Sequence, residues 1–308
     1  MTSNPKVIVL MGGPDAEREV SLSSGERVTA ALVRHEDLTV TSRVIDAPEE
    51  EVLRSMIRSV DADVVFPVLH GDWGEGGILQ GRLESIGIPF VGSGRAASEL
   101  AMDKMRSKKV VAELGIPTPT AATLAPGVEV DLDLPLVLKP VSDGSSVGVR
   151  PVRTAEELAA ARRELEPRHD RIMAETMVSG RELTVGFLDH RVLPPIEIIP
   201  ANGIYDYEAK YERDDTEYVV APGLPTDVEK DLARWSRIIL EAFGVRDFGR
   251  VDWLLPGPSD PLQGPQFLEI NTIPGMTDHS LVPMAAEAIG LPMPVLCRRL
   301  VEAAIARA

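Results

Sequence analysis

The chain has 308 residues, enough for two or three domains with hydrophobic cores of their own. Its net charge of −16 argues against nucleic acid or an anionic membrane as the main partner, because both attract basic surfaces. The one cysteine, Cys297, excludes an internal disulfide and a cysteine metal cluster. No apolar run reaches the length of a membrane span, and the N-terminal run is interpreted as a strand rather than a signal peptide, so a cytoplasmic location is expected.

The first hundred residues predict alternating strands and helices, the pattern of an α/β domain. The apolar run Lys6–Met11 predicts a buried strand, followed by a turn that lacks a dinucleotide-binding fingerprint. Glu17 follows this turn, where a ligand would lie, and His70 ends a second predicted strand in a glycine-rich stretch. The alternatives are structural: Glu17 as a charge favoured at a helix start, and His70 as a hydrogen-bonded core histidine. The stretch IPFVGSG predicts a further strand and turn.

A single long helix is predicted over Ala97–Gly115, and a proline-bearing connector after it marks a plausible domain boundary. Four basic residues of this helix are expected mostly on a solvated face, with Lys104 singled out as a candidate ligand contact: Lys104, Arg106, Lys108 and Lys109.

A candidate phosphate-binding element begins at Lys139, which ends an apolar strand-like run. The loop Ser142–Gly148 is made of small residues whose backbone N–H groups and hydroxyls can cover phosphates, with the lysine as a point charge. It is not a Walker A loop, and a flexible linker is the alternative. Further on, Glu175 and Glu182 flank a turn, where carboxylates can accept from an adenine amino group or ribose hydroxyls.

The polar segment Ala201–Gly223 contains all four tyrosines of the chain together with Lys210. It is too long for a simple connection between strands, so it is interpreted as a lid over an active site.

Two short strand-like runs, Gly249–Leu255 and Gln266–Asn271, flank a stretch dense in turn formers and predict a hairpin. Because side chains alternate along a strand, Arg250 and Asp252 share one face of the first strand, and the second strand presents another carboxylate and an amide, Glu269 and Asn271. Such oxygen ligands suit Mg²⁺ or Mn²⁺. The alternative is an exposed hairpin with solvated acidic residues.

After this hairpin, Thr277, Asp278 and Ser280 precede an apolar helical pattern and predict a capped helix start. A helix start of this kind attracts a carboxylate or a phosphate.

Eight separated stretches, in order, carry a resemblance to the D-alanine–D-alanine ligases of the ATP-grasp superfamily: GGPDAEREVSLSSG, FPVLHGDWGEGGILQGRLESIGIPFVGSG, LAMDK, LVLKPVSDGSSVGV, GRELTV, YDYEAKY, FGRVDW and LEINTIPGMTDHSLVPMAA. The resemblance implies an α/β chain with the ATP-grasp fold, in which ATP lies between two antiparallel sheets. Three domains are expected: an N-terminal substrate-binding domain over residues 1–100, a central domain over 101–180, and a C-terminal domain with lid and metal site over 181–308.

The resemblance also implies the contacts to ATP: Lys104, Lys139, Ser146, Glu175, Thr176, Val178, Glu182 and Lys210. Two Mg²⁺ ions, with Mn²⁺ as a possible substitute, would be held by Asp252, Glu269 and Asn271. Thr176 departs from the lysine common at its position, which costs little if the contact to adenine is made by the backbone.

For the amino-acid substrates, the resemblance places Glu17 and His70 at the first D-alanine, and Ser280 and Leu281 at the second. Arg250 and the Gly275 amide would stabilise an oxyanion. Ser145, Tyr211 and Glu17 would form a hydrogen-bonded triad joining the small-residue loop to the lid, and a tyrosine in the lid accompanies peptide rather than ester formation. Ile273 and Asp278 depart from the family pattern near the second subsite.

The implied activity is the ATP-dependent ligation of two D-alanine molecules, through D-alanyl phosphate, to supply peptidoglycan precursors. A homodimer is expected. Two other readings stay open: a different carboxylate–amine ligase of the same superfamily, and a nucleotide-binding sensor without turnover.

Overall fold

The structure is a computed structural model, and it describes residues 4–125, 128, 130–144, 148–201, 215–258 and 260–307. The predicted roles of Ser145, Ser146, Lys210 and Tyr211, and most of the predicted lid, lie outside the described residues. Within the described ranges, no helix is both long enough and apolar enough to cross a membrane.

The N-terminal part forms a three-stranded parallel sheet in the order β2-β1-β3, which confirms the predicted alternation of strands and helices. Its elements are β1 (Lys6–Gly12), α1 (Arg18–Leu32), β2 (Thr39–Ile45), α2 (Glu50–Ser59), β3 (Val64–Pro67), α3 (Gly71–Glu75) and α4 (Ile78–Ile86). The strand expected in IPFVGSG is reduced to one isolated bridge between Val65 and Phe90.

The long helix predicted over Ala97–Gly115 is wrong, because two helices occupy this stretch: α5 (Arg95–Met102) and α6 (Lys104–Glu113). Asp103 separates them with an extended backbone, and its side chain accepts a hydrogen bond from the N–H of Arg106 at 2.9 Å. An N-cap of this kind starts a new helix. The prediction of a solvated basic face is also wrong in part. Lys108 is buried, and of the four basic residues only Arg106 and Lys109 are exposed.

The middle of the chain forms a four-stranded antiparallel sheet in the order β4-β7-β5-β6. Its elements are β4 (Ala121–Leu124), β5 (Leu136–Pro140), β6 (Arg150–Val152), α7 (Ala155–Leu165) and β7 (Ile172–Thr176). Helix α7 packs its apolar side on this sheet and closes a core separate from the others, in which Leu136, Leu138 and Leu165 are fully buried.

A five-stranded antiparallel sheet in the order β10-β9-β8-β11-β12 forms the C-terminal part. Its elements and the helices that follow are β8 (Gly180–Leu188), β9 (Arg191–Ile199), β10 (Glu217–Val220), α8 (Thr226–Phe243), β11 (Phe248–Pro256), β12 (Gln266–Asn271), α9 (Leu281–Glu287) and α10 (Met293–Ala306). Helix α10 packs back on α1, and Cys297 is a buried residue of the shared core, as its sequence context predicts.

Strands β11 and β12 pair as the predicted hairpin. Arg250 lies opposite Asn271 and Asp252 opposite Glu269, so the four polar side chains form two adjacent cross-strand pairs. The register then shifts by one residue, so that Trp253 opposes Phe267. These two rings are fully buried and meet edge to face at 6.1 Å.

Candidate active site

Two adjoining clefts share Lys104, Asp143 and Glu269 in their walls. The smaller, of about 50 Å³, lies where the N-terminal part meets the β11–β12 hairpin. The larger, of about 520 Å³, lies between the two antiparallel sheets. Besides Lys104 and Glu269, five predicted site residues line the smaller cleft: Glu17, His70, Arg250, Asn271 and Gly275. Gly144 of the predicted small-residue loop lines it as well.

The hairpin holds its polar side chains in a fixed arrangement. The Nε of Arg250 donates to Asp252 Oδ1 at 3.1 Å and to Oδ2 at 3.3 Å. On the neighbouring strand β8, the hydroxyl of Thr184 donates to Asp252 Oδ1 at 2.6 Å. Glu269 lies 3.5 Å from the ammonium of Lys104. Thr184 was not predicted from the sequence, because its contact with Asp252 depends on the register of β8 against β11 and not on a local pattern.

The donor set of Asp252, Glu269 and Asn271 fits a magnesium site by its chemistry. Two carboxylates and one amide oxygen are the hard oxygen ligands that Mg²⁺ takes, usually with waters and substrate phosphates completing the shell. The described residues contain no cluster of three or more His, Cys, Asp or Glu side chains that would form an all-protein metal cage. Three oxygen ligands leave the rest of a Mg²⁺ shell to waters and to a phosphate-bearing ligand.

His70 is a buried neutral base. Burial lowers its pKa to about 4, and the nearby positive charge of Arg250 acts in the same direction, while a hydrogen bond with the Ile273 backbone opposes them. Its Nε2 atom has no hydrogen-bond partner among the described residues. Near neutral pH the ring is therefore uncharged and offers a free nitrogen next to the smaller cleft.

Two carboxyl side chains enter the smaller cleft from the N-terminal part. Glu17 precedes α1 at its N-cap position, and its side chain makes no capping hydrogen bond. Glu75 ends α3 and is buried. The sequence reading missed Glu75, although it lies in the same glycine-rich stretch as His70.

Helix α1 also holds the loop that follows β12. The hydroxyl of Ser24 accepts from the N–H of Met276 at 3.1 Å, and Arg27 forms an ion pair with Asp278. The departure from the family pattern at Asp278 is thus matched by a cation on α1.

The capped helix start predicted after this loop is wrong, because the Ser280 side chain makes no capping hydrogen bond. Ser280 does precede α9, but its hydroxyl accepts from the N–H of Thr277 at 2.8 Å instead of from a helical N–H. A Cβ at position 275 would lie 2.8 Å from that hydroxyl, so Gly275 leaves the room that the Ser280 side chain needs.

Lys139, which lines the larger cleft, forms an ion pair with a buried carboxylate that also pairs with Lys108. Glu175 lies 3.0 Å from the ammonium of Lys139 and 2.5 Å from that of Lys108. Burial raises the pKa of Glu175, but the two ammonium groups outweigh it and hold this pKa below its usual range. The contact of Glu175 with ATP stays a prediction, and the structure adds a role in orienting Lys139.

The walls of the larger cleft combine apolar side chains with several polar and charged ones. Val178 and Glu182, two predicted ATP contacts, lie among its lining residues, whereas the N–H of Thr176 donates to the Thr120 carbonyl within the sheet. The apolar lining that the sequence reading did not assign comes from both sheets: Val137, Val149, Met177, Ile198, Leu254 and Leu268. Apolar walls with a few polar groups are typical of a nucleotide site.

Two family models match the chain: D-ala D-ala ligase N-terminus over residues 43–93, and D-ala D-ala ligase C-terminus over residues 111–302. A D-alanine–D-alanine ligase from Laribacter hongkongensis is 43% identical over 304 residues, covering 97% of this chain and 96% of the relative. The solved D-alanine–D-alanine ligase from Coxiella burnetii superposes with a TM-score of 0.84 at 28% identity, covering 99% of this chain and 95% of that one. The Bacillus anthracis ligase, solved in complex with ATP, gives a TM-score of 0.81 at 29% identity, with 98% of both chains covered.

Proposed function

Because the chain belongs to the D-alanine–D-alanine ligase family, we propose that it joins two molecules of D-alanine into D-alanyl-D-alanine, with conversion of ATP to ADP and phosphate. It is an ATP-dependent carboxylate–amine ligase. The product supplies peptidoglycan precursors in the cytoplasm, and the active form is a homodimer. The three domains cover residues 1–100, 101–180 and 181–308.

The observation that carries this proposal is the meeting of two different clefts at Lys104 and Glu269. The larger cleft has the size and apolar walls for a nucleotide. The smaller has carboxylates and a guanidinium, the groups that recognise an amino acid. Phosphoryl transfer from one ligand to the other requires such a junction, because the reacting atoms must approach to about 3 Å.

For the metal, we infer that Asp252, Glu269 and Asn271 hold Mg²⁺ together with the phosphates of ATP. Bound there, Mg²⁺ or Mn²⁺ would offset the negative charge of the phosphates during transfer. Arg250 and Thr184 support this site, since both bond to the Asp252 carboxylate and fix its orientation.

The chain's own residues account for the two chemical steps. Lys104 and Lys139 attract the phosphates, and the carboxylate of the first D-alanine takes the γ-phosphoryl group to give an acyl phosphate. The neutral amine of the second D-alanine then attacks the carbonyl carbon, and phosphate leaves. Arg250 and the N–H of Gly275, which both line the smaller cleft, stabilise the oxyanion between these events. Exclusion of water protects the acyl phosphate from hydrolysis.

The test is ADP formation and mass analysis of the product, with Mg²⁺-ATP and D-alanine as the only substrates. We expect D-alanyl-D-alanine in amounts equal to ADP. Glu269→Gln should lower turnover at least about a hundredfold, because metal charge stabilisation is worth several kcal/mol. The matched control is Glu113→Gln, since Glu113 is an exposed residue of α6. A protein that binds ATP but forms no ADP in the presence of D-alanine is a nucleotide sensor, and that result would overturn the proposal.

A further inference from the structure

We propose that Glu75 is a second recognition residue for the ammonium group of the first amino-acid substrate, acting beside Glu17. This inference rests on the proposed function, because it names a contact to that substrate. Neither the family resemblance nor the sequence pattern assigns Glu75 a role.

The first observation is an unpartnered oxygen. Glu75 is 7% exposed and lines the smaller cleft. One carboxyl oxygen, Oε1, accepts a long hydrogen bond of 3.4 Å from the N–H of Gly71. The other, Oε2, is buried and has no hydrogen-bond partner among the described residues. A buried polar oxygen costs free energy unless it is bonded, so a donor is expected to enter the cleft and satisfy it.

The second observation is the approach of Glu75 to Glu17. A Cβ placed on Gly144 would lie 3.0 Å from Glu17 Oε2 and 3.5 Å from Glu75 Oε1. Both carboxyl groups therefore reach the same side of the small-residue loop. They come from different elements, the start of α1 and the end of α3, so their approach is a property of the fold.

The charges of the cleft define the class of ligand. Burial and the neighbouring Glu17 carboxylate raise the pKa of Glu75 well above its usual range, which means that a second negative charge there is unfavourable in the empty cleft. Arg250 partly offsets this charge, but its Nε already bonds to Asp252. A primary ammonium group brings one positive charge and three donors, enough for both carboxyl groups.

A hydroxyl group in the same place brings one donor and no charge. Glu75 should therefore favour a D-amino acid over the D-2-hydroxy acid of the same shape. A purely structural role, in which Glu75 only holds the turn at Gly71 (φ +79°), predicts no such discrimination.

The experiment compares wild type with Glu75→Gln, Glu75→Asp and the exposed control Glu113→Gln. The readouts are the KM for D-alanine in the first subsite, the KM for ATP, and the inhibition constant of D-lactate as a competitor for that subsite. In Glu75→Gln we expect the KM for first-subsite D-alanine to rise at least about tenfold, as for loss of a charged hydrogen bond. The KM for ATP and the D-lactate inhibition constant should change less than about twofold. For Glu75→Asp we expect a KM for first-subsite D-alanine between those of wild type and Glu75→Gln.

Equal weakening of D-alanine and D-lactate, or an unchanged KM for D-alanine, would overturn the role of Glu75. A thermal unfolding transition shows whether Glu75→Gln folds. If it does not, Glu75→Asp replaces it in the same comparison of D-alanine with D-lactate, since aspartate keeps the charge but places it farther from the substrate. A wild-type protein without D-alanine-dependent ADP formation instead overturns the proposed function, so the two failures are distinguishable.

Discussion

His70 links the chemistry of the smaller cleft to the pH dependence of folding. In the folded protein its pKa is about 4, against the ordinary value of 6.5, because the ring is buried and faces Arg250. In the unfolded chain the ring is in water and takes a proton below about pH 6.5. Between these two values the unfolded state binds more protons, so the free energy of unfolding falls as the pH falls.

We therefore expect His70 to remove about 2 kcal/mol of stability between pH 7.5 and pH 5. His70→Gln should lose that much less stability than wild type over the same range, as measured by urea unfolding at both pH values. His279→Gln is the control, because it makes the same substitution at an exposed histidine. Identical pH dependence in wild type and His70→Gln would show that folding does not change the pKa of the ring, and would contradict this expectation.

At the scale of elements, the break between α5 and α6 positions Lys104. The Asp103 side chain accepts from the N–H of Arg106 and forms an ion pair of 2.6 Å with Arg171, close to the middle sheet. Lys104 is the first residue of the new helix, and its ammonium donates to the carbonyl of Asp143 at 2.6 Å. One carboxylate thus fixes both the helix start and the cation that both clefts share.

Asp103→Ala should therefore lower stability by about 1–2 kcal/mol, the usual cost of losing an N-cap. It should also raise the KM for ATP, because Lys104 loses its fixed helix start. Asp103→Asn keeps an oxygen for the Arg106 N–H and should show a smaller loss of stability. Chemical denaturation and the KM for ATP measure the two effects, and equal stability of Asp103→Ala and wild type would contradict the role of the cap.

The hairpin and the break between α5 and α6 show which features of the fold a local sequence pattern can predict. The hairpin was predicted because turn formers separate two runs with period-two alternation. The helix break was missed because the apolar pattern of Ala97–Gly115 continues through Asp103. Strand β2 is mostly exposed and depends on its parallel pairing with β1, a contact distant in sequence. Glu75 and the Lys108–Glu175 pair are likewise products of tertiary approach, which no single stretch of sequence records.

At the scale of the whole molecule, the end of the chain joins two other segments at one buried carboxylate. Asp247, whose side chain is 2% exposed, accepts from the N–H of Gly92 at 2.7 Å and from Arg307 Nη2 at 2.7 Å. Arg307 also donates to the carbonyl of Phe90 at 3.1 Å. The N-terminal part, the start of β11 and the end of α10 are therefore fixed to one another.

Removal of Arg307 should leave Asp247 buried without its counter-charge. We expect Arg307→Ala to lower the free energy of unfolding by about 2–3 kcal/mol, since breaking a buried pair from one side is costly. Arg298→Ala is the comparison, because Arg298 pairs with Asp37 and Glu302 at the surface and should cost less than about 1 kcal/mol. Equal losses in the two variants, measured by urea unfolding, would contradict this difference.

The register shift in the β11–β12 hairpin has a consequence for insertions and deletions. Because of this shift, Leu268 and Glu269 both line the larger cleft although they are consecutive, while Phe267 and Ile270 on either side are buried in the core. Under the proposed function, two adjacent positions would thus contact the nucleotide and the metal. Loss of the single codon for Leu268 would restore a regular ladder and remove one residue from the cleft wall, while Glu269 and Phe267 would keep their faces. The length of this strand therefore sets the lining of the cleft as much as residue identity does.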